Sequence, residues 1–157
     1  MTQNELITDV IIIGAGPAGC ASAIELANQG LQVIMLDKAK FPRDKCCGDG
    51  LTTDALRILE DLGLKTNAIT NWNTVTDAVI FSPNGHRSQL PLPNKQGQFA
   101  AVVPRLELDA ELLQLARLAG VHIETSMSSS KIVQHQEYVS LTSSDGRTLH
   151  SRYVVAA

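Results

Sequence analysis

Residues 9–37, DVIIIGAGPAGCASAIELANQGLQVIMLD, constrain what this chain can fold into more than any other stretch. The apolar run Val10–Ile13 leads straight into Gly14-Ala-Gly16-Pro-Ala-Gly19. A helical pattern follows, and then a second apolar run that ends on Asp37, 21 residues after Gly16. Strand, glycine turn, helix, strand and terminal acid together make a βαβ dinucleotide-binding fingerprint. Each glycine has its own task. Gly14 makes the tight turn out of the strand, Gly16 lets backbone approach a pyrophosphate, and Gly19 lets the helix pack closely on the sheet. The N–H groups of the first helical turn, Ala18 among them, face the phosphates with the positive end of the helix dipole behind them. Asp37 can accept from the ribose hydroxyls of an adenosine, with Lys38 beside it, and would repel a 2′-phosphate.

The rest of the composition narrows the class. The 157 residues suffice for one domain with a real core, and 44% hydrophobic with 18% charged residues is ordinary for a globular protein. A net charge of −3 without a basic run lacks the electrostatic footprint of a nucleic-acid binder. The N-terminus has no basic and apolar succession of a signal peptide, and no apolar run approaches the ~20 residues of a membrane span. Three cysteines, Cys20, Cys46 and Cys47, form no disulfide framework, so a reducing, cytoplasmic setting is expected. Cys20 falls in a helix expected to be buried and reads as a small hydrophobe. The four histidines show no metal-ligand spacing, so no metal is expected. Trp72, the single tryptophan, reads as a local packing anchor.

Along the chain the pattern predicts strands at 8–13 and 31–37 around a helix at 17–29. A turn-rich loop from Lys38 to Leu51 follows, then a helix at 53–62 capped by Thr52 or Thr53. Residues 75–82 and 86–92 flank Pro83-Asn84-Gly85 as a hairpin, and 93–98 read as a polar loop. A short strand at 100–103 leads into a helix at 106–119 with an apolar stripe of Leu108, Leu112, Leu115, Ala116 and Ala119. Strands at 121–125, 131–136, 138–143 and 147–156 close the series, with the serines of 126–130 as a loop. The fold class is therefore α/β: a Rossmann-like βαβ domain with an inserted β-hairpin and an antiparallel meander. That interruption suggests a flavoprotein version of the fold rather than a plain NAD dehydrogenase. The chain stops inside a strand pattern, so it is expected to be truncated, one part of a longer protein.

The segment FPRDKCCGDGLT (41–52), taken with DVIIIGAGPAG and with PRLELDAELLQLARLAGV (104–121), resembles the geranylgeranyl reductase family. That family belongs to the FAD-dependent proteins of the p-hydroxybenzoate hydroxylase fold. The resemblance implies that residues 1–157 are the N-terminal part of an FAD-binding domain, with 75–98 as the start of a substrate-domain sheet. It implies that Gly14, Gly16 and Gly19 hold the FAD pyrophosphate, Asp37 the ribose, and that Arg105 contacts the cofactor. Arg43 could also reach FAD, or simply be solvated. The loop of Cys47, Gly48, Asp49 and Gly50 is expected beside the flavin ring, its glycines allowing close approach. Asp49 is there either a polar handle or a turn residue. Cys46 departs from the family pattern, which is usually apolar at that position. It opens the alternative of a vicinal disulfide with Cys47.

The implied reaction is reduction of prenyl C=C bonds, with NAD(P)H or a ferredoxin as electron donor. Because an isolated alkene is unpolarised, a proton donor is needed opposite the hydride. Cys47, with an ordinary thiol pKa of about 8.5, is the candidate. The substrate would be a prenyl small molecule or lipid, with peripheral membrane contact by the whole protein. The alternatives are an FAD-dependent monooxygenase or halogenase of the same fold, or a non-catalytic dinucleotide-binding fragment.

Overall fold

The computed structural model describes residues 7–93 and 99–157. Most of the polar loop predicted at 93–98 lies outside them. The chain forms two compact units, Met1–Arg43 with Asp109–Ala157, and Asp44–Leu108.

The first unit is built on β1 (Ile7–Ile13), α1 (Pro17–Asn28) and β2 (Val33–Asp37). β1 is apolar on both faces because it is covered on both, and Ile11 and Ile12 are fully buried. On the other side of the insertion the chain comprises most of a long helix, three successive strands and a final strand of nine residues. The six strands of this unit form one sheet, whose central strand β1 pairs in parallel with β2 through Val10↔Val33 to Ile13↔Leu36.

The second unit supplies β3 (Gly50–Leu51), α2 (Thr53–Asp61), a 3₁₀ turn at Thr66–Ala68 and β4 (Asn73–Thr74). β5 (Asp77–Phe81), β6 (Arg87–Pro91) and β7 (Ala101–Val102) follow. Thr52 is the N-cap of α2, its hydroxyl accepting from the Ala55 N–H at 3.4 Å. β5 and β6 are the predicted antiparallel hairpin, paired from Asp77↔Pro91 to Phe81↔Arg87. β7 is flanked by β3 and β4 in a small antiparallel sheet. Neither β3 nor β4 was legible in the sequence, since two-residue strands carry no alternation. Leu59, Leu62, Leu64, Ile69, Ala101 and Val103 are buried in this unit.

α3 (Arg105–Leu118) starts at the end of the second unit and continues into the first. It buries Leu108, Leu112 and Ala116 of the expected stripe, and also Leu113 and the acidic Asp109, which the stripe did not include. β8 (His122–Thr125), β9 (Ser129–Gln134), β10 (Val139–Ser143) and β11 (Thr148–Ala156) complete the first unit. The sheet order is β8-β2-β1-β11-β10-β9. β8, β2, β1 and β11 run parallel, and β10 and β9 are the antiparallel meander. The serine run at 126–130 is a loop only in part, because Ser129 and Ser130 already belong to β9 and Ser129 pairs with Ser143. Serine is neutral enough for strand when a neighbour supplies the ladder, as β10 does here.

Cys20 is fully buried on α1, as a small hydrophobe should be, and its thiol hydrogen-bonds the Ala15 carbonyl at 3.5 Å. Burial first, and then the nearby carboxylates of Asp109 and Asp37, push this thiol up to about 12 from an ordinary 9.0. An acid whose folded pKa is raised stabilises the fold fully below its unfolded value and loses that contribution as pH rises through the interval. The chain should therefore lose about 1.4 kcal/mol for each pH unit above the ordinary thiol value, until pH nears the folded one. A Cys20→Ala variant should lack this alkaline slope in urea-unfolding series; an identical slope would reject the assignment.

Candidate functional site

The glycine turn is shaped by crowding at two of its three glycines. Gly14 has φ +106°, and a Cβ there would lie 2.3 Å from the Ala157 carbonyl oxygen. A Cβ on Gly19 would fall 1.9 Å from the Gly14 carbonyl oxygen. Both obstacles are backbone, so no side-chain rotation can make room. Gly16 is the N-cap of α1 in extended conformation (φ −76°, ψ −176°), and no side chain caps the helix. Its carbonyl takes the Cys20 N–H at 2.9 Å. Pro17 removes one further N–H, which leaves the first turn's remaining donors, at exposed Ala18 and at Gly19, as anion-facing groups.

Asp37 ends β2 and is 8% exposed. Its Oδ2 accepts the Ala15 N–H at 2.7 Å, and its Oδ1 accepts the Ala39 N–H at 2.7 Å. The carboxylate thus ties the glycine turn to the end of β2, a task the sequence did not disclose. A carboxylate has about four lone-pair sites, so two stay available to a ribose hydroxyl pair. Lys38 beside it is exposed. These groups fit the adenosine and pyrophosphate half of a dinucleotide.

Arg43 is held within the protein. Its guanidinium pairs with Asp109 at 3.2 Å and lies 5.0 Å from the centroid of the Phe41 ring. Asp109 is fully buried and Arg43 largely so. No spacing pattern marks this pair, because Asp109 lies outside the apolar stripe of α3.

In the second unit, the loop before β3 is organised through its backbone. Asp49 adopts φ +54°, a left-handed conformation that aspartate tolerates. Its carbonyl accepts the Val103 N–H at 2.9 Å, and its backbone lies beside the Cys47 sulfur. The Arg105 side chain donates to that sulfur. Cys46 and Cys47 are both exposed and both free thiols. The Asp49 N–H, and next the Arg105 side chain, stabilise the Cys47 thiolate and hold its pKa below the ordinary 9.0. This setting favours loss of the Cys47 proton, which brings the thiol closer to the pH range in which an acid can give up its proton. Alkylation by iodoacetamide should show an inflection for Cys47 at lower pH than for a free thiol, and Arg105→Gln should move it upward. Inflections that coincide would overturn the arrangement.

Gly48 and Gly50 contrast with the packed glycines. Neither has a left-handed φ; a Cβ on Gly48 would meet nothing within 4 Å, and one on Gly50 only the Gly48 carbonyl oxygen at 3.8 Å. Their own surroundings do not require glycine, whereas close approach of a flat ligand would.

Elsewhere in this unit, Glu107 accepts the Asn71 N–H at 3.0 Å as well as its side-chain amide, which lowers the Glu107 pKa. Those bonds hold the segment carrying Trp72, whose indole nitrogen is buried and unpartnered. His135 and His150, to which the sequence assigned no role, both hydrogen-bond the Ser140 hydroxyl, at 2.9 and 3.2 Å. No group of three metal-ligating side chains comes together among the described residues.

A parallel βαβ core with a crowded glycine turn and an acid at the end of β2 defines an α/β dinucleotide-binding protein. The match is more specific than that: residues 7–157 correspond to the FAD binding domain family, and the chain belongs to it. It is 33% identical over 157 residues to the menaquinone reductase of Mycobacterium tuberculosis, covering 95% of this chain and 37% of that protein. It is 30% identical over 149 residues to the rifampicin monooxygenase of Rhodococcus hoagii, covering 95% of this chain and 31% of that protein. Among solved structures it shares the fold of a geranylgeranyl bacteriochlorophyll reductase-like protein from Thermoplasma acidophilum. The TM-score is 0.80 at 24% identity, over 96% of this chain and 39% of that one. The chain thus spans little more than a third of the length of the menaquinone reductase. A reductase and a monooxygenase both stand among its relatives, so the FAD-binding family is established and the geranylgeranyl branch of it is not.

Proposed function

We infer that this chain serves an FAD-dependent oxidoreductase that reduces C=C bonds of a geranylgeranyl or other prenyl chain. Gly14, Gly16, Ala18 and Gly19 would bind the pyrophosphate, and Asp37, with Lys38 beside it, the adenosine ribose. FAD, when bound, would supply the hydride that reduction of an alkene needs. Arg105 would add positive charge at the Cys47–Gly50 loop. Arg43, paired with Asp109, would reach the cofactor only from that ion pair.

The observation that carries the reading is the loop Cys47–Gly50. Its two glycines have room for side chains, and its backbone is tied to Val103 through the Asp49 carbonyl, leaving an open edge that a ring could approach. The name of the menaquinone reductase relative supports reduction over oxygenation. The rifampicin monooxygenase relative favours the second reading, insertion of oxygen. NAD(P)H or a ferredoxin would be the electron source, and a prenyl lipid would bring the protein to a membrane surface from the cytoplasm. Among the described residues no helix is long and apolar enough to cross a membrane.

Two measurements test this. FAD should raise the melting temperature of the chain, because a ligand bound only by the folded state stabilises it by mass action, and AMP should do so more weakly. Asp37→Ala should abolish the AMP effect. It should also cost about 1–3 kcal/mol in stability, because the buried Ala15 N–H loses its acceptor. With the whole protein, reductant and a geranylgeranyl substrate, the product should gain two hydrogens per double bond. A product that gains oxygen instead would replace this reading with the monooxygenase one.

A further inference from the structure

The three cysteines divide sharply by environment. Cys20 is sealed in the core with its proton held. Cys46 and Cys47 are adjacent, exposed and in a segment without regular structure, directly before Gly48, around which there is open space. They are not equivalent: the Asp49 backbone and the Arg105 side chain flank the Cys47 thiol and favour its thiolate.

From this geometry we propose that Cys46–Cys47 is a peroxide-oxidised thiol pair, with Cys47 the attacking sulfur and Cys46 the resolving one. The Cys47 thiolate attacks one oxygen of hydrogen peroxide. The O–O bond breaks, the departing hydroxide takes a proton to leave as water, and Cys47 becomes a sulfenic acid. The Cys46 sulfur then attacks the Cys47 sulfur, the S–O bond breaks, a second water leaves, and a vicinal disulfide remains. Overall two thiols and one peroxide give one disulfide and two waters.

The donors on Cys47 favour its thiolate, which is the reactive form, and mark it as the first to react. Adjacency makes the second step intramolecular, so it competes with further oxidation. The same adjacency holds the two Cα atoms about 3.8 Å apart across a trans peptide, closer than in ordinary disulfides, which run from about 4.4 Å. Such a bond is strained and readily reduced, as suits a reversible modification rather than a structural staple. Oxidation would also take from Arg105 and the Asp49 N–H the anionic sulfur they bind. The site needs no cofactor and does not rest on the prenyl-reductase reading.

The test uses the chain without FAD, treated with substoichiometric and then excess hydrogen peroxide, alkylated under denaturing conditions and digested with trypsin. Cleavage after Lys45 and Arg57 releases both cysteines on one peptide. Its expected state is unalkylated and two hydrogens lighter, and restored by dithiothreitol, while Cys20 stays fully alkylatable. In Cys46→Ser, Cys47 should accumulate as a dimedone-reactive sulfenic acid. In Cys47→Ser, Cys46 should react several-fold more slowly than Cys47 does. Both positions are exposed, so neither serine disturbs the core. A peptide carrying sulfinic or sulfonic acid at the same peroxide dose would overturn the proposal, as would disulfides only between chains. So would a Cys46 that reacts as fast in Cys47→Ser as Cys47 does in Cys46→Ser.

Discussion

Arg43→Met should destabilise the first unit by about 3–5 kcal/mol, the usual cost of stripping the partner from a buried charge. Asp109 is fully buried on α3, and the guanidinium of Arg43 lies 3.2 Å from its Oδ2. Methionine fills much of the arginine stem's volume, so the loss would report charge rather than a cavity. Asp109→Asn should cost less, because the arginine it leaves behind keeps 16% of its side chain in contact with water. The double variant Arg43→Met/Asp109→Leu should recover much of the loss, since no charge then remains buried. Urea midpoints at constant slope measure all three. The comparison also separates two roles for Arg43. If it served the cofactor alone, Arg43→Met would lower FAD affinity and leave the midpoint where it was.

Gly19→Ala should be at least as damaging. The added carbon would sit 1.9 Å from the Gly14 carbonyl oxygen and 3.0 Å from the Gly14 carbonyl carbon. Either α1 moves off the sheet or the turn deforms, and overpacking of this kind costs about 3 kcal/mol or more. The same displacement spoils the N–H array at the start of α1, so the melting shift caused by AMP should vanish. Gly48→Ala is the control. Its Cβ meets nothing, so stability should stay within about 0.5 kcal/mol of the parent. If a flat ring lies against that loop, FAD affinity should still fall. Equal effects of the two alanines on stability would contradict the crowding described at Gly19.

These contrasts show what could be read from the residues and what could not. The βαβ core was legible because β1, α1 and β2 are consecutive, and their signals – apolar run, glycines, terminal acid – are local. The β5–β6 hairpin was legible for the same reason, its turn being spelled Pro83-Asn84-Gly85. The three-stranded sheet of β3, β7 and β4 was not, because its two-residue strands exist only through pairing between distant segments. The site divides likewise. Gly14, Gly19 and Asp37 announce themselves by spacing. The Ala15–Asp37 bond, the Arg43–Asp109 pair and the donors on Cys47 join residues from 2 to 66 positions apart, and no periodicity records them. For Cys47 this mattered to the chemistry: an ordinary thiol was expected, whereas Asp49 and Arg105 hold its pKa below the ordinary value.

The sheet order carries one more consequence. β1 leaves the ribosome well before its neighbour β11, since the two pair as early as Ile7↔His150. Until β11 has been made, one edge of β1 carries unmet backbone donors and acceptors along an almost wholly apolar strand. Folding waits on a pairing that spans nearly the whole sequence, which is slow on topological grounds. Chaperone dependence and yield should then respond more to changes in β11 than its share of the buried surface suggests.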